Sequence, residues 1–299
     1  MMVKGQTKLP ENDTFLSIAV LFCSCIDIAA IPLISFIALM YGAGIIGFTA
    51  LKRGLSANWL VLIAMMPPLA AFFVYGENHF VDGVLFYILP LILLSGLRAT
   101  KSWSVVSELM TLTCFAVMLV VMLFAPNFVD VTITEVINNV IAPVQERFQL
   151  TNNAVVIFAS LFLGQLFLAT MLITFLYMQL IKKIYDRYHR RAVKPAGVID
   201  MSQIYALTWL VFLLIALFVR EPVVFVITIM LSFSAMVAGG SKLHAMLKKL
   251  QNKKAPLMST VVMSLYYVMM YMILPYSAIA CVCVAYGRFF KSLLARQRK

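Results

Sequence analysis

The sequence predicts an all-α fold, a polytopic transmembrane helical bundle of about 8–10 membrane segments carrying short interfacial amphipathic helices. Three observations predict it. Of 299 residues, 63% are hydrophobic and the mean hydropathy is +0.97, against roughly 45–50% apolar residues in soluble domains. Long stretches carry almost no charge: residues 15–51 hold only Asp27, and residues 222–241 hold none. The basic residues cluster at the borders of the apolar stretches, which is the distribution of membrane proteins. A soluble fold is excluded because its helices and turns would need polar faces. The net charge of +12 is not a nucleic-acid signature, since such a surface would gather its cations on one face with exposed aromatic or polar groups.

In chain order the apolar segments cover about 15–30, 32–51, 56–75, 80–97, 104–125, 153–181, 203–219, 222–241, 257–274 and 276–290. Residues 15–51 exceed one span of about 20 residues and read as a hairpin turning between Asp27 and Pro32. Residues 257–290 read as a second hairpin turning at Pro275. With both tails inside, only Arg147 and Arg220 of the 24 basic residues fall outside, as the preference of cytoplasmic loops for lysine and arginine requires. A single span at 257–290 would instead strand the basic tail outside. The chain therefore reads as one integral membrane domain, 1–299, with both termini cytoplasmic, in a bacterial cytoplasmic (inner) membrane. Lys4 and Lys8 precede the first segment, but Glu11 and Asp13 interrupt a signal-like charge pattern, so the first segment is expected to be uncleaved.

Three segments read as interfacial. An outer amphipathic loop, 127–152, contains Ile133, Val136, Ile137, Val140, Ile141, Val144 and Phe148 on one helical stripe, with Thr132 and Glu135 at capping-box spacing. A basic cytoplasmic loop at 182–200 extends the sixth segment, with Ile181, Ile184, Tyr185 and Tyr188 in register until Pro195 and Gly197 stop it. A second, at 242–256, sets Leu243, Met246, Leu247 and Leu250 against lysines and is expected to lie on the anionic inner leaflet. Lys182, Lys183, Arg187, Arg190, Arg191, Lys242, Lys248 and Lys249 are the basic side chains expected to face lipid or a partner.

Gly42, Gly44 and Gly47 spell the dinucleotide-binding pattern G-x-G-x-x-G, but that pattern acts only at a water-accessible strand-to-helix turn. Within an apolar run, Ala38 to Gly42 and Ala43 to Gly47 read instead as small-residue pairs for close helix packing. Ionisable residues in or beside spans are the ligand-binding candidates, because burying them in lipid is costly. Asp27 is either such a contact or a turn residue at the outer interface. Glu77, His79 and Asp82 form an outer cluster in which His79 and Asp82 would share a helical face, the alternative being a solvated loop. Glu108 lies one turn into the fifth segment, near Lys101 and Trp103, where it can complement a helix N-terminus.

Cys23, Cys25, Cys114, Cys281 and Cys283 all lie in apolar segments and read as small packing residues. Each Cys-x-Cys pair sits about 200° apart on a helix, so one helix cannot offer both sulfurs to a metal. There is no H-E-x-x-H, G-x-S-x-G or Walker A sequence, and His189 and His244 lie in basic clusters. No enzyme activity, cofactor, metal site or nucleic-acid partner is expected.

Ala30-Ile31-Pro32-Leu33, Gly239-Gly240-Ser241-Lys242-Leu243-His244-Ala245, and the Tyr266-to-Pro275 segment followed by a short last span and basic tail resemble the bacterial membrane-protein family of the YybS type. The likeness covers most of the length. Members of that family look like substrate-capture (S) subunits of energy-coupling-factor transporters, which implies a compact helical bundle binding a small ligand near its outer face. The Ala-x-x-x-Ala docking surface common in such subunits is missing from residues 15–30. The expected function is thus a small-molecule binding or transport subunit without ATPase activity, docked on a possible membrane partner subunit. The alternative is a structural or assembly factor that recruits lipid or a partner through its basic loops.

Overall fold

A computed structural model describes residues 13–29, 32–75, 83–124, 128–141, 151–190, 199–219, 221–251 and 261. The expected hairpin at 257–290, the cluster at 77–82 and most of the outer loop beyond residue 141 lie outside these residues. Every regular element among the described residues is helical. The protein is an all-α, multi-pass integral membrane protein. Four stretches are long and apolar enough to cross a bilayer: Leu33–Ala71, Trp103–Val120, Asn153–Tyr188 and Pro222–Lys242.

The chain forms two compact units, Met1–Lys101 with Leu176–Val193, and Ser102–Phe175 with Lys194–Lys299. In the first, α1 (Asp13–Ala29) and α2 (Pro32–Arg53) are antiparallel. Ser35 reaches Asp27 at one end of the pair, and Arg53 reaches Asp13 at the other. Gly54, with φ of +71°, opens the 3-10 turn Gly54–Ala57, a backbone state in which other residues are strained. The turn sends the chain back as α3 (Asn58–Tyr75), whose internal Pro67 and Pro68 are tolerated because neighbours in a membrane bundle satisfy the freed carbonyls. α1 packs against both α2 and α3: Ser24 Oγ donates to the Ala64 carbonyl at 2.6 Å, while Cys23 lies against Gly42.

A π-helical turn, Val84–Ile88, leads into α4 (Leu89–Thr100). Pro90, at the start of α4, has no N–H to continue the ordinary ladder, whereas the Leu89 N–H reaches back to the Val84 carbonyl. α4 ends at Lys101, left-handed at φ 55°, whose N–H closes on the Leu97 carbonyl at 2.8 Å. The last turns of α7 (Asn152–Tyr188) complete this unit. Tyr177 donates to the Met40 carbonyl at 2.5 Å, and Phe48 meets Tyr185 and Tyr188 edge-on.

The second unit is built on α9 (Pro222–Gln251), which is buried from Val226 to Gly239 except at Ile229. α5 (Trp103–Phe124) runs antiparallel to it, with Ser107 and Ser234 hydroxyls 3.0 Å apart. α8 (Gln203–Val219) lies beside both, its Tyr205 hydroxyl donating to the Leu231 carbonyl at 2.8 Å. Gly164 of α7 accepts Ile229, which would stand 2.7 Å from a Cβ placed there. Phe175 bridges Trp103 and Phe233 through edge-on ring contacts. The short α6 (Phe128–Val136) continues into a π-helical turn, Ile137–Ile141, and buries Ile133 and Ile141 of the expected stripe.

Hydroxyls inside the helices largely satisfy themselves. Thr49, Thr111, Ser160 and Thr174 each donate to the carbonyl four residues earlier, which removes the cost of a bare O–H in an apolar setting. Sequence reading separated 242–256 from the preceding span as an inner-surface segment. The helix expected there is continuous with that span, for α9 runs unbroken to Gln251. Gly239 and Gly240 do not end it because glycine is well tolerated in membrane helices, and Ser241 is fastened to a neighbouring segment.

Candidate functional site

Asp27 sits in the last turn of α1 and is only 3% exposed. Its depth follows from the hairpin: α2 folds back immediately, laying Ser35 over the carboxylate. The Ser35 hydroxyl is shared between Asp27 Oδ1, at 2.5 Å, and the Asp27 carbonyl, at 2.7 Å. One contact holds the side chain and the other holds the helix end. Chemically, such a carboxylate can take a proton, a cation or a donor group of a polar solute. Ser35 was not singled out from the sequence, although a hydroxyl eight residues beyond an acid across a tight hairpin is a readable signal.

The remaining candidates fall elsewhere. Glu77, His79 and Asp82 lie outside the described residues. Glu108 belongs to the second unit and accepts the Ser202 N–H at 2.5 Å, at the residue whose Oγ receives the Tyr205 N–H at 3.3 Å. Its carboxylate therefore faces the N-terminus of α8, where negative charge is favoured. Three further contacts join it. Ser104 Oγ accepts the Asp200 N–H at 3.0 Å, Ser241 Oγ accepts the Ile199 N–H at 2.7 Å, and Lys242 pairs with Asp200 at 2.6 Å. Residues 199–202 are thus strapped across the ends of α5 and α9. Sequence reasoning missed Ser104, Asp200, Ser202 and Ser241: Ser104 and Ser241 meet backbone N–H groups distant in the chain, and Asp200 and Ser202 meet side chains 42 and 94 residues away.

The small-residue pairs pack as close helix contacts. Ala38, Gly42, Ala43 and Gly47 are buried. A Cβ on Gly42 would stand 2.8 Å from Tyr87 Cε1, and one on Gly47 would stand 2.7 Å from Leu94 Cδ1 and 3.2 Å from Ile181 Cδ1. Gly47 is therefore the point where α2, α4 and the end of α7 meet.

The basic side chains divide by what they touch. In the first unit, Lys182 pairs with Asp186, and Arg53 grips Asp13 through both guanidinium nitrogens, at 2.7 and 3.0 Å. The Arg53 hydrogen bond, aided by its charge and that of Lys52, holds the Asp13 carboxyl below its ordinary value. Arg98, Lys101, Lys183, Arg187 and Arg190 are exposed. In the second unit, Lys242 is largely covered by its pairing with Asp200, so it is not presented outward as expected. Arg191 and the side chains of Lys248 and Lys249 lie outside the description.

Cys114 is buried, Cys23 half-buried and Cys25 exposed, each as a free thiol. Among the described residues no three His, Cys, Asp or Glu side chains converge. No family model, curated protein or solved structure matches the chain.

Proposed function

We propose that the protein is a small-molecule binding or transport subunit of a bacterial cytoplasmic membrane, without ATPase activity, in which Asp27 is the polar contact for the solute. The observation that carries this reading is the burial of that carboxylate within an apolar hairpin, held by Ser35. A charge so placed is costly unless it serves a partner or a pathway. The resemblance of the sequence to the YybS-type family, and through it to energy-coupling-factor capture subunits, points the same way and adds a membrane partner subunit.

The orientation belongs to the same reading. Asp27 lies at the end of the α1–α2 pair opposite Arg53, and the cations of α2, α4 and α7 gather at the Arg53 end. With that end cytoplasmic, Asp27 faces the outer side and the start of α1 is inside, and the basic residues of the tail put the C-terminus on the same side.

A thermal-shift screen of the detergent-purified protein against vitamins, amino acids and monovalent cations tests the function. One class should raise the melting temperature of the wild type and lose its effect in Asp27→Asn. A screen without any shift removes the reading. A structural or assembly role predicts the reverse pattern, with function surviving Asp27→Asn and lost when the basic residues of 182–194 and 242–254 become glutamine.

A further inference from the structure

α2, α4 and the end of α7 run parallel and touch at Gly47, through Leu94 and Ile181. Six residues beyond that level, a rise of about 9 Å, the chain reaches Arg53, Thr100 and Arg187. Three helix C-termini therefore emerge together, which accounts for part of the cationic bias, since C-terminal ends favour Lys and Arg. It does not account for the face of α7 that leads to them.

Leu176, Leu180, Ile184 and Tyr188 are 54%, 49%, 52% and 42% exposed. Four-residue spacing lines them along one side of the helix over about 18 Å, close to the depth of one leaflet. Lys183 and Arg187 fall on the same side, and both are exposed, as is Arg190 just past the helix. The acidic residue of this segment, Asp186, is taken up by Lys182 and does not offset them. At the junction of greasy and charged surface stand Tyr188 and His189, linked with Phe48 and the buried Tyr185 by ring contacts at 4.4 to 6.2 Å, as aromatic side chains do at the headgroup level.

We propose that this face of α7 is a binding site for an anionic phospholipid, with an acyl chain along Leu176–Leu180–Ile184 and the headgroup phosphate on Lys183, Arg187 and Arg190. A solvated face would need no exposed apolar stripe, and a soluble acidic partner would gain nothing from one at leaflet depth. The site rests on the multi-pass membrane fold and not on the solute-binding reading, so either can fail alone.

The test is native mass spectrometry of the full-length protein in mild detergent, titrated with dioleoyl phosphatidylglycerol, dioleoyl phosphatidylcholine or inorganic phosphate. Phosphatidylglycerol should bind, with phosphatidylcholine weaker by tenfold or more and free phosphate not bound. The Lys183→Gln/Arg187→Gln/Arg190→Gln variant should lose roughly a hundredfold in affinity, about fivefold per cation. The charge-conserving Lys183→Arg/Arg187→Lys/Arg190→Lys variant should bind as wild type. Should the triple variant fold poorly, Arg187→Gln alone, at an exposed helical position, should still lose several-fold. Equal binding of the two lipids, binding of free phosphate in place of lipid, or undiminished binding by the glutamine variants would overturn the assignment.

Discussion

At the scale of single residues, the hairpin of α1 and α2 is held by two polar contacts of different kinds. Ser35 on Asp27 is part-buried, and Arg53 on Asp13 is exposed. Hydrogen bonds between helices in a membrane contribute about 0.5–2 kcal/mol, so Ser35→Ala should lower stability by that amount in a reversible denaturation assay. An unchanged midpoint would mean that the hydroxyl does not fasten the pair. Asp13 behaves differently with pH. Its folded carboxyl titrates below the unfolded one, so its contribution is complete above the ordinary carboxylate value and fades as pH falls through the lower, folded one. Melting curves of wild type and Asp13→Asn should converge only below about pH 4, and the gap above it should be small because the bridge is exposed. Gly42 faces a rigid, fully buried ring, Tyr87. Gly42→Ala is therefore expected to cost about 1–3 kcal/mol by overpacking, read from the same assay.

Elements carry the strap over the second unit. Glu108, Ser104, Ser241 and Lys242 together hold residues 199–202. Replacing Glu108 with Ala and Ser241 with Ala should speed hydrogen exchange of the Ile199, Asp200 and Ser202 amides by tenfold or more, while amides in the middle of α9 stay protected. Equal protection in wild type and variant would show that the segment is held by something else. Much at this scale was legible in the sequence. Apart from the C-terminal ends of α7 and α9, the described helices begin and end within a few residues of the apolar boundaries, and α7 runs past its apolar run to Tyr188 as the register of Ile181, Ile184 and Tyr185 predicted. The strap was not legible, because a hydroxyl that caps a distant backbone N–H leaves no periodic trace. The continuity of α9 was also hidden, because a double glycine followed by lysines looks like a boundary.

For the whole molecule, charge placement and hydropathy give the membrane fold directly, and the described helices carry it. Asp27 was visible as a lone acid in an uncharged stretch, but its burial and its Ser35 partner depend on how tightly the hairpin closes. The outer cluster of Glu77, His79 and Asp82 stays at the level of the sequence. Cysteine-accessibility mapping tests the proposed orientation: thiols introduced singly at Lys52, Lys101 and Arg190 should resist a membrane-impermeant maleimide in intact cells and react after permeabilisation. Labelling of all three in intact cells would invert the topology and move Asp27 to the cytoplasmic side.

The threonines and serines that bond back to their own helix, at Thr49, Thr111, Ser160 and Thr174, have a consequence for biogenesis. A segment whose hydroxyls are already satisfied leaves the translocon as a finished piece, able to wait in lipid without a companion. Insertion and assembly can then be separate events, with the close fits at Gly42, Gly47 and Gly164 settled only when the pieces meet.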